Sequence, residues 1–196
     1  MSAINIEHSR TAYAADFAFY ALAIVAIAAY LIAFSVGKYW TDGVYLGLAA
    51  IIGLCSWSLI EYLLHRFVLH GLQPFKRWHL EHHIRPTALI AAPTLLSSGL
   101  IFTLVFLPTW ALLGLQRSAA FTLGVITGYL AYATVHHGVH HWRATGVWLT
   151  KRKRWHALHH HARDLSVPGR YGVSTSLWDY VFATLPANNV PPGRDN

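Results

Sequence analysis

Four runs of apolar residues, at about 17–36, 43–64, 88–115 and 119–135, decide what this chain can fold into. A helix needs about 20 apolar residues, within a range of about 17–25, to cross the hydrocarbon of a bilayer. In lipid each backbone N–H and C=O must be paired within its own segment, so such runs become helices. Glu61 breaks the second run only near its end, and Pro93 and Pro108 kink or bound the third. The turn at Gln116-Arg117-Ser118 is short, so the last two runs form a helical hairpin. The balance of residues agrees: 55% are hydrophobic and 12% charged, where a soluble domain carries about 25% charge. Mean hydropathy is +0.37. The first run is expected to be a retained anchor, since Met1 to Asp16 is not the short basic leader of a signal peptide. The reading is an all-α integral membrane protein, one domain over 1–196, with four transmembrane helices and a cytoplasmic helical cap rich in histidine.

Four spans place the segment after the second and the segment after the fourth on the side of the N-terminus. Those two segments, 65–83 and 136–161, hold nearly all the histidines. Most basic residues lie there too: Arg66, Lys76, Arg77 and Arg85 in or just after the first, and Arg143, Lys151, Arg152, Lys153, Arg154, Arg163 and Arg170 in or after the second. The opposite loops carry Lys38 and Arg117. Lysine and arginine stay on the cytoplasmic side, so the histidines are expected there, in a bacterial inner membrane or the endoplasmic reticulum. The net charge of +7 is explained by orientation, and no nucleic-acid partner is expected. Lys151 to Arg154 suits anionic headgroups or an acidic redox partner.

Fourteen residues are histidine, and the clusters are closely spaced: His65 and His70; His79, His82 and His83; His136, His137, His140 and His141; His156, His159, His160 and His161. On a helix, positions i, i+3 and i+4 share a face, so each H-x2-H-H triplet is expected to present its three rings to one point. In the third cluster His136 with His140 and His137 with His141 are alternative pairs. His65 and His70 are five apart, about 140° round a helix of 3.6 residues per turn, and serve one site only if the helix bends there. Taking one pair from the third cluster leaves ten imidazoles, too many for one ion and suited to two first-row ions with an open position on each. Carboxylates that orient such rings are expected among Glu61, Glu81, Asp164 and Asp179.

Other residues carry plainer readings. His8 and His161 are read as surface or satisfied histidines, and Cys55, the single cysteine, as a small buried apolar side chain. One cysteine excludes a thiolate zinc site and a disulfide framework. Trp57, Trp78, Trp110, Trp142, Trp148 and Trp155 are read as interfacial and packing groups.

The order H-x4-H, H-x2-H-H, H-x3-H, H-x2-H-H resembles the fatty acid hydroxylase/sterol desaturase superfamily of membrane histidine-box oxygenases. Residues 61–70, EYLLHRFVLH, resemble the first box of fatty acid 2-hydroxylases. Gly128, Tyr129, Tyr132, His136 and His140 resemble the fourth-helix box, and residues 171–182, YGVSTSLWDYVF, look like the segment that closes the domain. The resemblance spans about 59–185. It implies two metal ions, functionally iron though zinc is possible in purified protein, and dioxygen as co-substrate. It further implies hydroxylation of a fatty acyl or sphingolipid chain at C2, with electrons from a separate carrier protein and reductase. Carried over position by position, the ligands are His65, His70, His79, His82, His83, His136, His140, His156, His159 and His160. The interval from Tyr132 selects His136 and His140 over His137 and His141. Many eukaryotic relatives carry a fused b-type heme domain that is not in this sequence, and Ala133 stands where the family often has Asp.

Within the same superfamily a carotenoid or sterol ring is the alternative substrate. A zinc-dependent membrane hydrolase would need only three or four ligands. A metal transporter would place ionisable groups at mid-membrane depth, where these runs hold almost none.

Overall fold

The computed structural model describes residues 7–35, 39–162 and 168–185. Among them the chain is helical, with one isolated antiparallel bridge between Glu7 and Ile90. The elements are α1 Arg10–Ser35, α2 Trp40–Leu63, α3 Phe75–Ile84, α4 Thr94–Ile101, α5 Leu107–Leu113, α6 Leu115–His141, α7 Val147–His160 and α8 Leu177–Val181. A π turn, Leu64–Leu69, prolongs α2, and a second, Phe102–Phe106, joins α4 to α5. Four helices are long and apolar enough to span a membrane: Arg10–Ser35, Trp40–Leu69, Thr94–Leu113 and Leu115–His141.

Several boundaries differ from those read in the sequence. The first helix starts at Arg10 rather than near 17, and the second runs on to Leu69. The third begins at Thr94, because Pro93 is extended (φ −56°, ψ 138°), so 88–93 lies outside the span. There Ile90 pairs with Glu7, and Leu89 accepts a hydrogen bond from the His8 N–H at 2.9 Å. Pro108 sits inside the third span just after the π turn, a shift in hydrogen-bond register where proline has no N–H to give. The hairpin turn falls on Gly114, not on 116–118, which open α6. Gly114 has φ +79°, a left-handed conformation that glycine adopts without a Cβ penalty.

The helix α6 is the centre of the bundle, with Ala120, Val125 and Ile126 buried against its neighbours. Lipid is as apolar as leucine, so spans associate through small residues that let backbones approach. That is how α2 meets α6. A Cβ on Gly53 would stand 2.0 Å from the Phe121 carbonyl oxygen, and one on Gly124 would stand 1.9 Å from that of Ala50. The outer faces carry exposed Leu22, Val25, Ile32, Leu104 and Leu112, as a lipid-facing surface should. Cys55 is exposed on α2, not buried in the core as expected. The side chain of Trp57 is buried and packs edge-on against Tyr129 at 5.3 Å, whereas Trp110, Trp142 and Trp148 are exposed. Two polar bonds tie α4 to α1: Thr94 Oγ1 donates to Asp16 Oδ1 at 2.6 Å, and Tyr20 to Ser97 at 2.7 Å. The N-terminal segment, the end of α2 and the start of α4 therefore share one end of the bundle.

Gly124→Leu should lower the thermal stability of the detergent-solubilised protein by about 1–3 kcal/mol or more, since the added atoms meet backbone. Gly47→Ala, where a Cβ meets nothing within 4 Å, should leave the melting temperature unchanged or slightly raised.

Candidate metal centre

The π turn at Leu64–Leu69 resolves the spacing of the first two histidines. In it the His70 N–H bonds to the His65 carbonyl at 3.2 Å, an i→i+5 closure in place of i→i+4. The wider turn brings the two rings over one another, 5.2 Å apart and 30° from parallel.

Among the described residues, two groups of histidines form at this end of the bundle. In the first, His65, His70, His79, His83 and His159 each offer a ring nitrogen, all within 4.8 Å of one another. His82, His136, His140 and His156 form the second in the same way. The ring of His160 stands beside it, with Nε2 3.0 Å from that of His156. The sequence reading put each triplet on one point; the structure divides each between the groups. At 100° per residue, i+4 lies 40° to one side of i and i+3 lies 60° to the other, by the geometry of 3.6 residues per turn. So His79 and His83 face the first group and His82 the second, while His156 and His160 face the second and His159 the first. The groups touch where His83 and His160 stack at 4.1 Å, 7° from parallel.

Within each group the Nε2 atoms converge. His79 Nε2 lies 2.9 Å from that of His65 and 3.1 Å from that of His83. His70 and His159 meet at 3.2 Å, and His140 and His156 at 2.9 Å. Both ring nitrogens of His82, and Nδ1 of His83, His156 and His160, are buried without a hydrogen-bond partner among the described residues. Burial, and then the neighbouring imidazoles, push the His82 ring down to about 2 and those of His83 and His160 down to about 3. The same causes hold His79, His156 and His159 well below the ordinary histidine range. Neutral imidazoles with converging lone pairs are the donor set that first-row metals take, so the residues fit metal ions.

Behind the rings of His65 and His159 the structure places carbonyls, where the sequence suggested carboxylates. His65 Nδ1 donates to the Tyr171 carbonyl at 2.5 Å and His159 Nδ1 to that of Gly169 at 2.7 Å. The carboxylates of Glu61 and Asp179 stand one step further out. Asp179 accepts from the N–H groups of Tyr171 and Gly172 at 2.8 and 2.9 Å and from Thr184 Oγ1 at 2.7 Å. Glu61 accepts from the N–H groups of Val173 and Ser174 at 2.7 and 2.9 Å, and from the Ser174 hydroxyl. They hold the segment that holds the rings. Glu81 serves neither purpose: it pairs with Arg85 at 2.6 Å in an exposed i, i+4 salt bridge, because its side chain leaves α3 on the solvent side. Asp164 lies outside the described residues.

The alternative pair, His137 and His141, is on another face of α6. Those rings stack on each other at 4.4 Å, and His137 lies against Tyr13 and Trp142, away from both groups. His8 Nε2 lies 3.2 Å from the Ala91 carbonyl oxygen, and exposed His161 bonds within its own helix. Arg152 departs from the basic surface run to which the sequence assigned it. It is buried, its guanidinium 5.8 Å from the Trp155 ring centroid. The residues that sequence reasoning missed are Gly169, Tyr171 and Thr184, whose parts are played by backbone or by one hydroxyl and leave no side-chain spacing to read.

Residues 50–184 match the family described as Fatty acid hydroxylase. The dihydroceramide fatty acyl 2-hydroxylase FAH2 of Arabidopsis thaliana is 33% identical over 156 residues, covering 72% of this chain and 62% of that protein. The ceramide very long chain fatty acid hydroxylase scs7 of Schizosaccharomyces pombe is 33% identical over 152 residues, with coverage of 68% and 41%. Human fatty acid 2-hydroxylase is 31% identical over 148 residues, with coverage of 69% and 38%. The chain thus spans about 40–60% of the length of these relatives. A solved structure of full-length scs7p, in which only the hydroxylase domain is visible, superposes with a TM-score of 0.71. It covers 88% of this chain and 68% of that one at 22% identity, a likeness of fold. Matched to the family pattern over well more than half its length, the chain belongs to the fatty acid hydroxylase family.

Proposed function

We propose that the chain is a two-metal membrane oxygenase that hydroxylates the acyl chain of a fatty acid or sphingolipid at C2. The observation that carries this is the pair of histidine groups, each with converging ring nitrogens, buried or half-buried at the ends of apolar spans. One group would hold an ion through His65, His70, His79, His83 and His159, the other through His82, His136, His140, His156 and His160. Two redox-active ions, functionally iron, supply the activation of dioxygen that no side chain provides. The balance is one C–H bond, one O2, two electrons and two protons, giving one C–OH and one water. The electrons come from a separate carrier protein and its reductase. The preference for C2 is supported by the relatives, whose names describe 2-hydroxylases.

The chain's own contribution is position and dryness. The α2 and α6 ends carry His65, His70, His136 and His140 to the membrane boundary, so a lipid chain reaches them sideways without leaving an apolar medium. Tyr132 stacks on His136 at 5.8 Å, 11° from parallel, and fixes that ring from the membrane side. Crowded imidazoles and buried aromatic rings keep water from the reacting carbon, which limits side reactions of the oxidant. The distribution of lysine and arginine supports a cytoplasmic site, in a bacterial inner membrane or the endoplasmic reticulum.

Mass spectrometry of lipids from cells expressing the chain should show one added oxygen on an acyl chain, with fragmentation placing it at C2. In His82→Ala the product should fall more than roughly 100-fold, beyond the 10–100-fold loss usual for an outer partner of a metal ligand. No gain of oxygen in cells supplied with a compatible electron carrier would sink the proposal. His136→Ala should lose turnover as His82→Ala does, while His137→Ala and His161→Ala should keep most of it; the reverse result would move the second ion to the other face of α6. Chelation should abolish activity in purified protein, and ferrous iron with reductant, but not zinc, should restore it.

A further inference from the structure

The two groups mirror each other in ligands: each takes a pair from the end of a span, two rings from one triplet and one from the other. What stands behind them is one-sided. We infer that they are unequal metal sites, the group of His65 and His159 taking its ion first and holding it more tightly, with Asp179 as the positioning residue. This rests on the reading that each group holds one ion.

A carbonyl oxygen only accepts hydrogen bonds, so Nδ1 of His65 and of His159 must carry the proton where they meet Tyr171 and Gly169. In the neutral ring the Nε2 lone pair is then fixed, and aimed, before any ion arrives. The two carbonyls are two residues apart on one strap of chain, 168–174. Its conformation is itself over-determined: Arg170 holds φ +53°, unusual for a residue with a side chain, and persists only where the surroundings impose it. Asp179, fully buried, is that constraint on one side, gathering two strap N–H groups and the Thr184 hydroxyl. Glu61 holds the next two residues of the strap.

The second group lacks this backing where the rings are most enclosed. The Nδ1 atoms of His156 and His160 and both ring nitrogens of His82 are buried without a partner among the described residues. In the first group His83 Nδ1 is the orphan of that kind. Rings with no outer partner choose tautomer and orientation only when the ion binds, and that ordering is subtracted from affinity. Outer partners are worth 10–100-fold in metal affinity, so the two steps should differ by at least about tenfold.

The test is a Co(II) titration of the full chain, stripped by chelator in lipid nanodiscs, read by ligand-field absorption and by competition with a chromophoric chelator. The expected result is two Co(II) per chain, bound in two steps at least about tenfold apart. His140→Ala should lose the weaker step and keep the tighter, and His70→Ala the reverse. Asp179→Asn, and the milder Thr184→Val, should weaken the tight step and alter its absorption band while leaving the other in place. A general loss of stability would move both. Two ions of equal affinity, loss of the tight step in His140→Ala, or equal weakening of both steps in the strap variants would overturn the inference. Should Asp179→Asn fail to fold, the wild-type steps and Thr184→Val decide. Fewer than two Co(II) at saturation would instead overturn the two-metal reading beneath it.

Discussion

Imidazoles pressed ring against ring, without a carboxylate touching them among the described residues, are the constraint from which the rest of the cap follows. A buried ring nitrogen left without a partner costs about 1–3 kcal/mol. Protonation offers no relief, since burial and the neighbouring rings both oppose the charged form. Ring-to-ring contacts can answer some of these nitrogens, but both nitrogens of His82 and Nδ1 of His156 and His160 have no partner among the described residues. An ion bound there would couple its own binding to the folding of this end. The glycine-mediated contact of α2 and α6 stands apart from it, deeper in the bundle.

The division of the triplets follows from helix geometry alone. Two helices, α3 and α7, each serve both groups because i+3 and i+4 fall on opposite sides of i. That cross-supply sets how close the groups can be. His82 and His83 are adjacent on α3 and His159 and His160 on α7, so the two sites must lie within one pair of stacked rings, where His83 meets His160. No rearrangement of a loop can separate them without unwinding a helix.

Much of this was legible in the sequence, and the remainder was hidden for identifiable reasons. Run lengths gave the four spans, and cluster spacing marked the histidines that gather at one end, because both are local and periodic; the choice of His136 and His140 came from the family resemblance. Span boundaries were less legible: Pro93 ends a helix that hydropathy alone would continue, and Gly114 turns a residue or two before the polar trio at 116–118. The meeting of His65 with His70 was obscured by the assumption of 3.6 residues per turn, which a π turn does not obey. Glu61 and Asp179, expected to orient rings, accept instead from N–H groups of the segment whose carbonyls meet His65 and His159. Sequence marks a buried acid but not the intervening carbonyl, since every residue has one. Arg152 was assigned to the surface by its neighbours Lys151 and Lys153, though its position on α7 turns it inward.

The contact between His65 and the Tyr171 carbonyl joins residues 106 apart in the chain. A ribosome adding about 5–20 residues per second needs several seconds or more to cover that distance. The third and fourth spans, Thr94–Leu113 and Leu115–His141, are themselves made within that interval, and both are complete before Tyr171 is added. Later still in the chain comes α8, which carries Asp179. The order of synthesis thus sets the order of support: the apolar spans are complete before the carbonyls and the carboxylate that orient His65 and His159 exist.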